Sequence, residues 1–419
     1  MHKFRQSLLN AERLDLAAEL ARCGDELPFL CRLADFPCGE RSLLDHTQCA
    51  LDALLADPPP APARSTNSVQ APWWSPMPTA YVAALFQHVG LPEVCSPAGR
   101  RVSLATPHAR ESVRLMRDLL RDWGVPFTVR EHAVALVLSQ RRPAGFVGSG
   151  APPEAYMRLS CALDLRALYH LRRADGRALG AEGGAESLRL EEFRRRAEQI
   201  GAFGQPYAAR LAPERMFEVG FKEARERHRM LNSMRYFELV ARMNEEEWFV
   251  ERLRLARDKP RGRLHLLVGT AGCGKSRWAA EHLRDTAIVS SDRMREELTG
   301  DPADQSQNYL VFQRCMDRIR ERLRDGEEVT FDATNYSEEL RFMPVQAARW
   351  SGAEIVSYLF DVSLAEGLAR NAKRERTVPE EAVRKQYRLL ELPALYEADR
   401  HIAVSAEGAP KPYWPVETS

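Results

Sequence analysis

The sequence predicts a multidomain protein: an all-α N-terminal domain, then an α/β domain whose parallel sheet surrounds a phosphate-binding loop. Three observations carry this reading. Apolar residues recur at helical spacing through the first half, with almost no alternating strand pattern between them. After about residue 258, short apolar runs alternate with amphipathic helices. The third is Gly269-Thr270-Ala271-Gly272-Cys273-Gly274-Lys275-Ser276, which fits G-x-x-x-x-G-K-[ST] directly after the apolar run Leu264-His265-Leu266-Leu267-Val268.

A chain of 419 residues is long for one hydrophobic core, so two domains are the natural expectation. The 60 basic and 59 acidic residues leave a net charge of +1, so no global field draws the protein to nucleic acid or membrane, and any polyanion site is local. Eight cysteines form no C-x-x-C pair, and an oxidised Cys273 inside a phosphate loop would be a liability, which favours a reduced, intracellular setting. No run of 18 apolar residues occurs and the N-terminus Met1-His2-Lys3-Phe4-Arg5-Gln6 is polar, so the expected location is cytoplasmic.

Helical spacing runs from Leu8 to about Leu55 and is broken by Pro58-Pro59-Pro60-Ala61-Pro62, which opens an exposed excursion over 56–78. It resumes at Thr79–Val89, Ser112–Trp123, Val129–Gln140, Ala155–Arg173 and Leu188–Ile200. These segments assign 1–185 to a helical domain and 186–257 to a helical connector. The connector contains Phe217-Glu218-Val219 and Trp248-Phe249-Val250 and closes at Asp258-Lys259-Pro260-Arg261-Gly262. Residues 258–419 form the α/β domain, with strands expected at Leu264–Val268, Ala287–Ser290, Val329–Phe331 and Glu354–Phe360. The tail Ala406–Ser419, with three prolines, is expected to be irregular.

The loop's chemistry follows from its composition. Gly269, Gly272, Cys273 and Gly274 let successive backbone N–H groups curl around phosphates; Lys275 reaches the outer phosphate oxygens, and Ser276 offers a hydroxyl to Mg²⁺. The second strand ends in Ser290-Ser291-Asp292-Arg293-Met294-Arg295, at the sheet edge where α/β folds place ligands. Asp292 is the best acid/base candidate there, and Arg295 one turn on can hold an anionic group; the plainer reading makes Asp292 a helix cap with Glu296 completing a capping box. The third strand ends in Asp332-Ala333-Thr334-Asn335, either a polar floor for an acceptor or a turn in which Asn335 or Ser337 caps the next helix. Arg370-Asn371-Ala372-Lys373-Arg374-Glu375-Arg376 reads as a cationic lid over a bound nucleotide, or else as a solvated helix end.

Taken in order, the loop, Asp292 with Arg295, Asp332-x-Thr334-Asn335 and Arg370-Asn371-x-x-Arg374 resemble the polynucleotide 5′-hydroxyl kinase family over roughly residues 262–400. The resemblance implies ATP and Mg²⁺ as cofactors and 5′-OH ends of RNA or DNA as acceptors. It implies Asp292 as general base, Arg295 as a clamp on the acceptor's 3′-phosphate, and Arg370 and Arg374 as donors to the ATP phosphates. Asp332, Thr334 and Asn335 would help build the acceptor site. In the first half, Ala83-Ala84-Leu85-Phe86-Gln87-His88-Val89-Gly90-Leu91-Pro92 resembles the core of the HD phosphohydrolases, where A-A-L-F-H-D-I-G-K-P would stand. His46 fits the first histidine of that family, His108 a later one, and Asp164 or Asp175 the last aspartate. Bacterial fusions join such a domain to a polynucleotide kinase in the same order.

The departures bear on chemistry. Gln87 replaces His, His88 replaces Asp, Leu91 replaces Lys, and Ser139-Gln140 stand where another histidine is expected. An amide is a poor ligand for a transition metal, and loss of a bridging carboxylate removes the charge that holds a two-metal centre. The expectation is a degenerate HD-like domain without two-metal hydrolysis, its histidines isolated on the helix faces of a scaffold that positions RNA or the kinase; the alternative is a residual set of His46, His88, His108 and Asp175 converging on a single metal.

Overall fold

The computed structural model describes residues 2–38, 40–60, 76–95, 108–181, 183–207, 224–243, 262–301 and 304–413. Most of the expected excursion, both connector motifs around Phe217 and Trp248, the segment Asp258–Arg261 and the last six residues lie outside them. The chain divides into two compact units, Met1–Tyr207 and Ala208–Ser419. No described helix is long and apolar enough to cross a membrane.

The first unit is helical. It comprises α1 (His2–Asn10), α2 (Leu16–Cys23), α3 (Pro28–Ala34), α4 (Leu43–Ala56), α5 (Pro76–Phe86), α6 (Leu91–Val94), α7 (Ala109–Asp122) and α8 (Phe127–Ser139), followed by α9 (Arg142–Ser149), α10 (Pro153–Ser160), α11 (Leu165–Ala178) and α12 (Ala185–Gln199). A two-residue strand pair, β1 (Pro37–Cys38) and β2 (Arg41–Ser42), precedes α4. Every side chain from Thr79 to Phe86 is buried, so α5 has no polar face and must lie inside the bundle; α1, α4, α7, α8 and α11 pack around it. Phe29, Phe86 and Trp123 meet at ring-centroid distances of 5.2–6.2 Å and tie α3, α5 and the end of α7 together.

Two expectations change here. Ala155–Arg173, read as one helix, is two: the chain turns at Cys161–Leu163, and Asp164 restarts it by accepting the Arg166 N–H at 2.8 Å as the N-cap of α11. The helix assigned to the connector, α12, packs on α9 and α11 and places Phe193 and Ala197 in the first unit's core, so the helical unit reaches beyond residue 185.

The second unit begins among the described residues with α13 (Ala224–Leu239), which packs on the short 3-10 turn Leu395–Glu397; Asn232 Nδ2 donates to the Ala398 carbonyl at 3.1 Å. This helix, too, was expected in the connector. The sheet follows: β3 (Arg263–Val268), β4 (Ala287–Ser290), β5 (Glu328–Asp332), β6 (Glu354–Asp361), β7 (Arg400–Ser405) and β8 (Pro410–Pro412), in the order β4-β5-β3-β6-β7-β8. The helices between them are α14 (Lys275–His282), α15 (Ser291–Thr299), α16 (Asn308–Arg324), α17 (Glu338–Ser351), α18 (Leu364–Ala372) and α19 (Glu380–Arg388).

The four expected strands are present and parallel, but the sheet is mixed. β7 adds a fifth parallel strand, and β8 pairs antiparallel with it, so part of the tail read as irregular is an edge strand. Its two prolines are tolerated because an edge strand needs no donor on its outer side. Two buried ion pairs anchor this side: Arg341 donates to both Glu397 oxygens at 2.6 and 3.1 Å, and Arg349 to Asp399 at 2.7 Å.

Candidate functional site

The parallel register brings three strand ends to one edge. Ser290 lies opposite Asp332, and Leu266 opposite Phe331, so Asp292, Asp332 and the loop after Val268 leave the sheet side by side. The loop is fastened from two sides. Gly269 N donates to the Thr334 carbonyl at 3.0 Å, and Ala271 N to Gln386 Oε1 of α19 at 2.7 Å. Gly272 has φ +79°, and a Cβ there would stand 2.3 Å from the Gly367 carbonyl of α18. Gly274, at φ +97°, turns the chain into α14. Both have a backbone conformation that favours glycine, and at Gly272 a side chain would also collide with α18.

Lys275 is buried and folds back on the loop, Nζ donating to the carbonyls of Thr270 at 2.7 Å and Gly269 at 3.1 Å. Ser276, next along α14, is exposed. Arg370, the first of the two expected lid arginines, lies against the loop itself. Its guanidinium donates to the Cys273 carbonyl at 3.3 Å, to the Ala406 carbonyl at 2.7 Å and to Glu366, so it braces the loop from α18. Beside it, the indole of Trp278 donates to the Gly408 carbonyl at 2.9 Å. Arg374 is exposed after the end of α18, in a segment closed by Asn371, which exchanges two hydrogen bonds with the backbone of Val378 at 2.7 and 3.1 Å.

Asp292 is not the cap of its helix. Ser290 fills that place, accepting from Arg293 N, and Asp292 sits in the first turn of α15, where a negative charge is favourable. Its carboxylate accepts from Arg295 Nη1 at 2.8 Å, while Arg295 Nη2 donates to Asn308 Oδ1 at 3.0 Å. Ser337, rather than Asn335, caps α17. Asn335 is buried at φ +45°, and its Nδ2 donates to the Leu267 carbonyl at 2.9 Å, which ties it to the strand that feeds the loop. Asp332 and Thr334 remain partly exposed at the sheet edge. No local pattern marks Asn308 or Gln386, whose partners lie 13 and 115 residues away.

In the first unit, all four residues of the residual set converge, and Gln87 joins them. His46 Nε2 and His88 Nε2 stand 2.8 and 2.9 Å from Asp175 Oδ1, Gln87 Nε2 donates to the same oxygen at 3.2 Å, and His108 Nε2 lies 2.9 Å from His88 Nδ1. Asp175, from α11, is thus the aspartate of the cluster, while Asp164 is spent capping that helix and pairing with Arg166. Asp175 Oδ2 accepts from Arg172 Nη1 at 2.5 Å, an i,i+3 pair whose spacing on one helix is written in the sequence. Burial alone would raise the Asp175 carboxyl, but Arg172 and His88 outweigh it and hold it well below the usual range. Burial also pushes the His88 imidazole down, toward its neutral form. A two-metal centre does not fit this set, because a guanidinium covers Oδ2 and the cluster offers a single carboxylate.

No curated protein matches the chain. Among solved structures, the chain is similar to one described as the Pnkp1/Rnl/Hen1 RNA repair complex, at 24% identity over 31% of this chain and 44% of that one, with a TM-score of 0.29. It therefore spans under half the length of that relative. A sugar kinase from Janibacter sp. HTCC2649 is 16% identical over 35% of this chain and 87% of that one, with a TM-score of 0.28. A gluconokinase from Sinorhizobium meliloti 1021 is 19% identical over 35% and 84%, with a TM-score of 0.26. The family described as AAA domain matches residues 264–393, from the strand before the phosphate loop to just beyond α19, and the C-terminal half carries a P-loop domain of kinase type.

Proposed function

We propose that the C-terminal unit transfers the γ-phosphoryl group of ATP, with Mg²⁺, to the 5′-hydroxyl of an RNA or DNA end, the chemistry of nucleic-acid end healing. In this reading the loop Gly269–Ser276 cradles the phosphates. Lys275 leaves its own carbonyls for the outer phosphate oxygens, and Ser276 supplies a hydroxyl to Mg²⁺. Asp292 takes the proton of the attacking hydroxyl, Arg295 orients it and meets the acceptor's phosphate, and Asp332 and Thr334 line the acceptor side. Arg374 reaches the donor phosphates from the exposed segment after α18, while Arg370 and Asn335 shape the loop.

The observation that carries this reading is the Asp292–Arg295 pair: an exposed carboxylate, held by a buried guanidinium, at the same sheet edge as the phosphate loop. The helical unit is read as lacking two-metal hydrolysis. The test offers γ-labelled ATP and full-length protein to four acceptors: 5′-OH RNA, 5′-OH DNA, a nucleoside 3′-phosphate and a free sugar acid. Label on the oligonucleotides supports the proposal. Label on the sugar acid alone overturns it in favour of a small-molecule kinase, and tight nucleotide-dependent RNA binding without transfer overturns it in favour of a switched binding module.

A further inference from the structure

We infer that His46, His88 and Asp175 hold a single divalent transition-metal ion, that Gln87 faces the solvent ligand of that ion, and that Arg172 fills the place of any second cation. The three ligand atoms, two imidazole nitrogens and a carboxylate oxygen, all lie within 4.8 Å of one another on buried side chains. Two imidazoles and one carboxylate suit Zn²⁺ and its neighbours in the transition series, and three protein ligands leave one tetrahedral position for water.

Gln87 is the independent observation. Its side chain is fully buried and its Nε2 donates to Asp175 Oδ1, which puts the amide against the cluster, yet its Oε1 has no hydrogen-bond partner among the described residues. An orphaned buried acceptor is costly, and it needs a donor. A water on the ion carries two protons and supplies one. His108 completes the arrangement: when His88 Nε2 binds a metal, its Nδ1–H donates to His108 Nε2, 2.9 Å away, which fixes the tautomer and the ring plane.

Arg172 sets the stoichiometry. A two-metal centre needs the second oxygen of its shared carboxylate, and here Asp175 Oδ2 is taken by Arg172 Nη1, while Nη2 of the same guanidinium donates to Glu186 at 2.7 Å. A fixed guanidinium repels a second cation at that distance. The inference concerns the first unit alone and does not depend on the kinase reading.

Full-length protein, stripped with a chelator and dialysed against Zn²⁺ or Co²⁺ without nucleotide, is assayed for metal content, for visible Co²⁺ absorption and for Tm. About one ion per chain is expected, with intense Co²⁺ bands of low coordination number and a Tm raised by Zn²⁺. The variants His46→Gln and Asp175→Asn, checked for folding by circular dichroism, should lose metal at least about tenfold. His2→Gln, at an exposed histidine, should lose none. Gln87→Leu leaves the three ligands in place, so it should keep the metal and shift the Co²⁺ spectrum. Wild-type content no higher than that of His46→Gln, or a wild type without Co²⁺ bands or a Zn²⁺-dependent Tm, overturns the site. Two ions lost together on His46→Gln overturn the role of Arg172, and an unshifted spectrum in Gln87→Leu overturns that of Gln87.

Discussion

Arg295 donates to Asp292 at 2.8 Å across a sharp change of surroundings: the arginine side chain is 6% exposed and the aspartate side chain 57%. The buried member is fixed by Asn308, so the exposed carboxylate is aimed by a group that has little freedom to move. Replacing Asp292 by the near-isosteric Asn keeps the shape and removes the proposed base. Asp292→Asn is expected to lower phosphoryl transfer about 10²–10⁴-fold while ATP affinity stays unchanged, as read by initial rates with labelled ATP and by calorimetry. Turnover close to wild type would remove Asp292 from the base role.

Gly272 tests how tightly the phosphate loop sits on α18. Gly272→Ala places a methyl group 2.3 Å from the Gly367 carbonyl at a backbone angle that costs about 1–2 kcal/mol for any L side chain. The loop must therefore move away from α18. Nucleotide affinity should fall at least about tenfold, equal to about 1.4 kcal/mol, and the Tm of the second unit should fall with it. Ala at Gly274, where the nearest atom is the end of the Arg370 side chain at 3.3 Å, should be milder sterically.

Asn335 separates loop support from acceptor contact. Asn335→Ala leaves the Leu267 carbonyl without its side-chain donor and puts alanine at φ +45°. The cost is about 1–3 kcal/mol, measured by urea unfolding of the second unit. Because its bond lies under the strand that feeds the loop, the KM for ATP should rise while the KM for the acceptor stays unchanged. A selective rise in the acceptor KM would place Asn335 in the acceptor site instead.

His132, buried in α8, gives the helical unit a pH dependence. Burial brings its imidazole down to about 3, whereas an unfolded chain titrates it near 6.5. As pH falls below 6.5 the unfolded chain binds a proton that the folded one refuses, so stability is present above that pH and declines as acid is added. The decline is about 1.4 kcal/mol per pH unit, or about 2 kcal/mol at pH 5. Urea unfolding at pH 7 and pH 5 should show this loss in the wild type and a correspondingly smaller one in His132→Leu. Equal losses in both would place the acid sensitivity elsewhere.

What could be read from the sequence was what local chemistry writes into contiguous residues. Leu264–Val268 and Glu354–Phe360 are short apolar runs with punctuated ends, and the phosphate loop is eight consecutive residues. β8 was hidden by Pro410 and Pro412, which argue against a strand everywhere except at an edge. The break at Asp164 was masked because helical spacing continues on both sides of it. The clamps on the site were invisible for another reason. Gln386 meets Ala271, and Asn308 meets Arg295, only once helices have docked, and neither residue type is unusual at its position.

The bracing of the phosphate loop also has a place in time. Trp278, in the first helix after the loop, finds its carbonyl partner at Gly408, 130 residues downstream, and Arg370 finds one at Ala406. At about 5–20 residues per second of synthesis, the loop waits roughly 6–26 s for that support to be made. By then every helix of the first unit has left the ribosome. A nascent chain halted before residue 406 would therefore pair a finished helical unit with a nucleotide loop still lacking its last two struts.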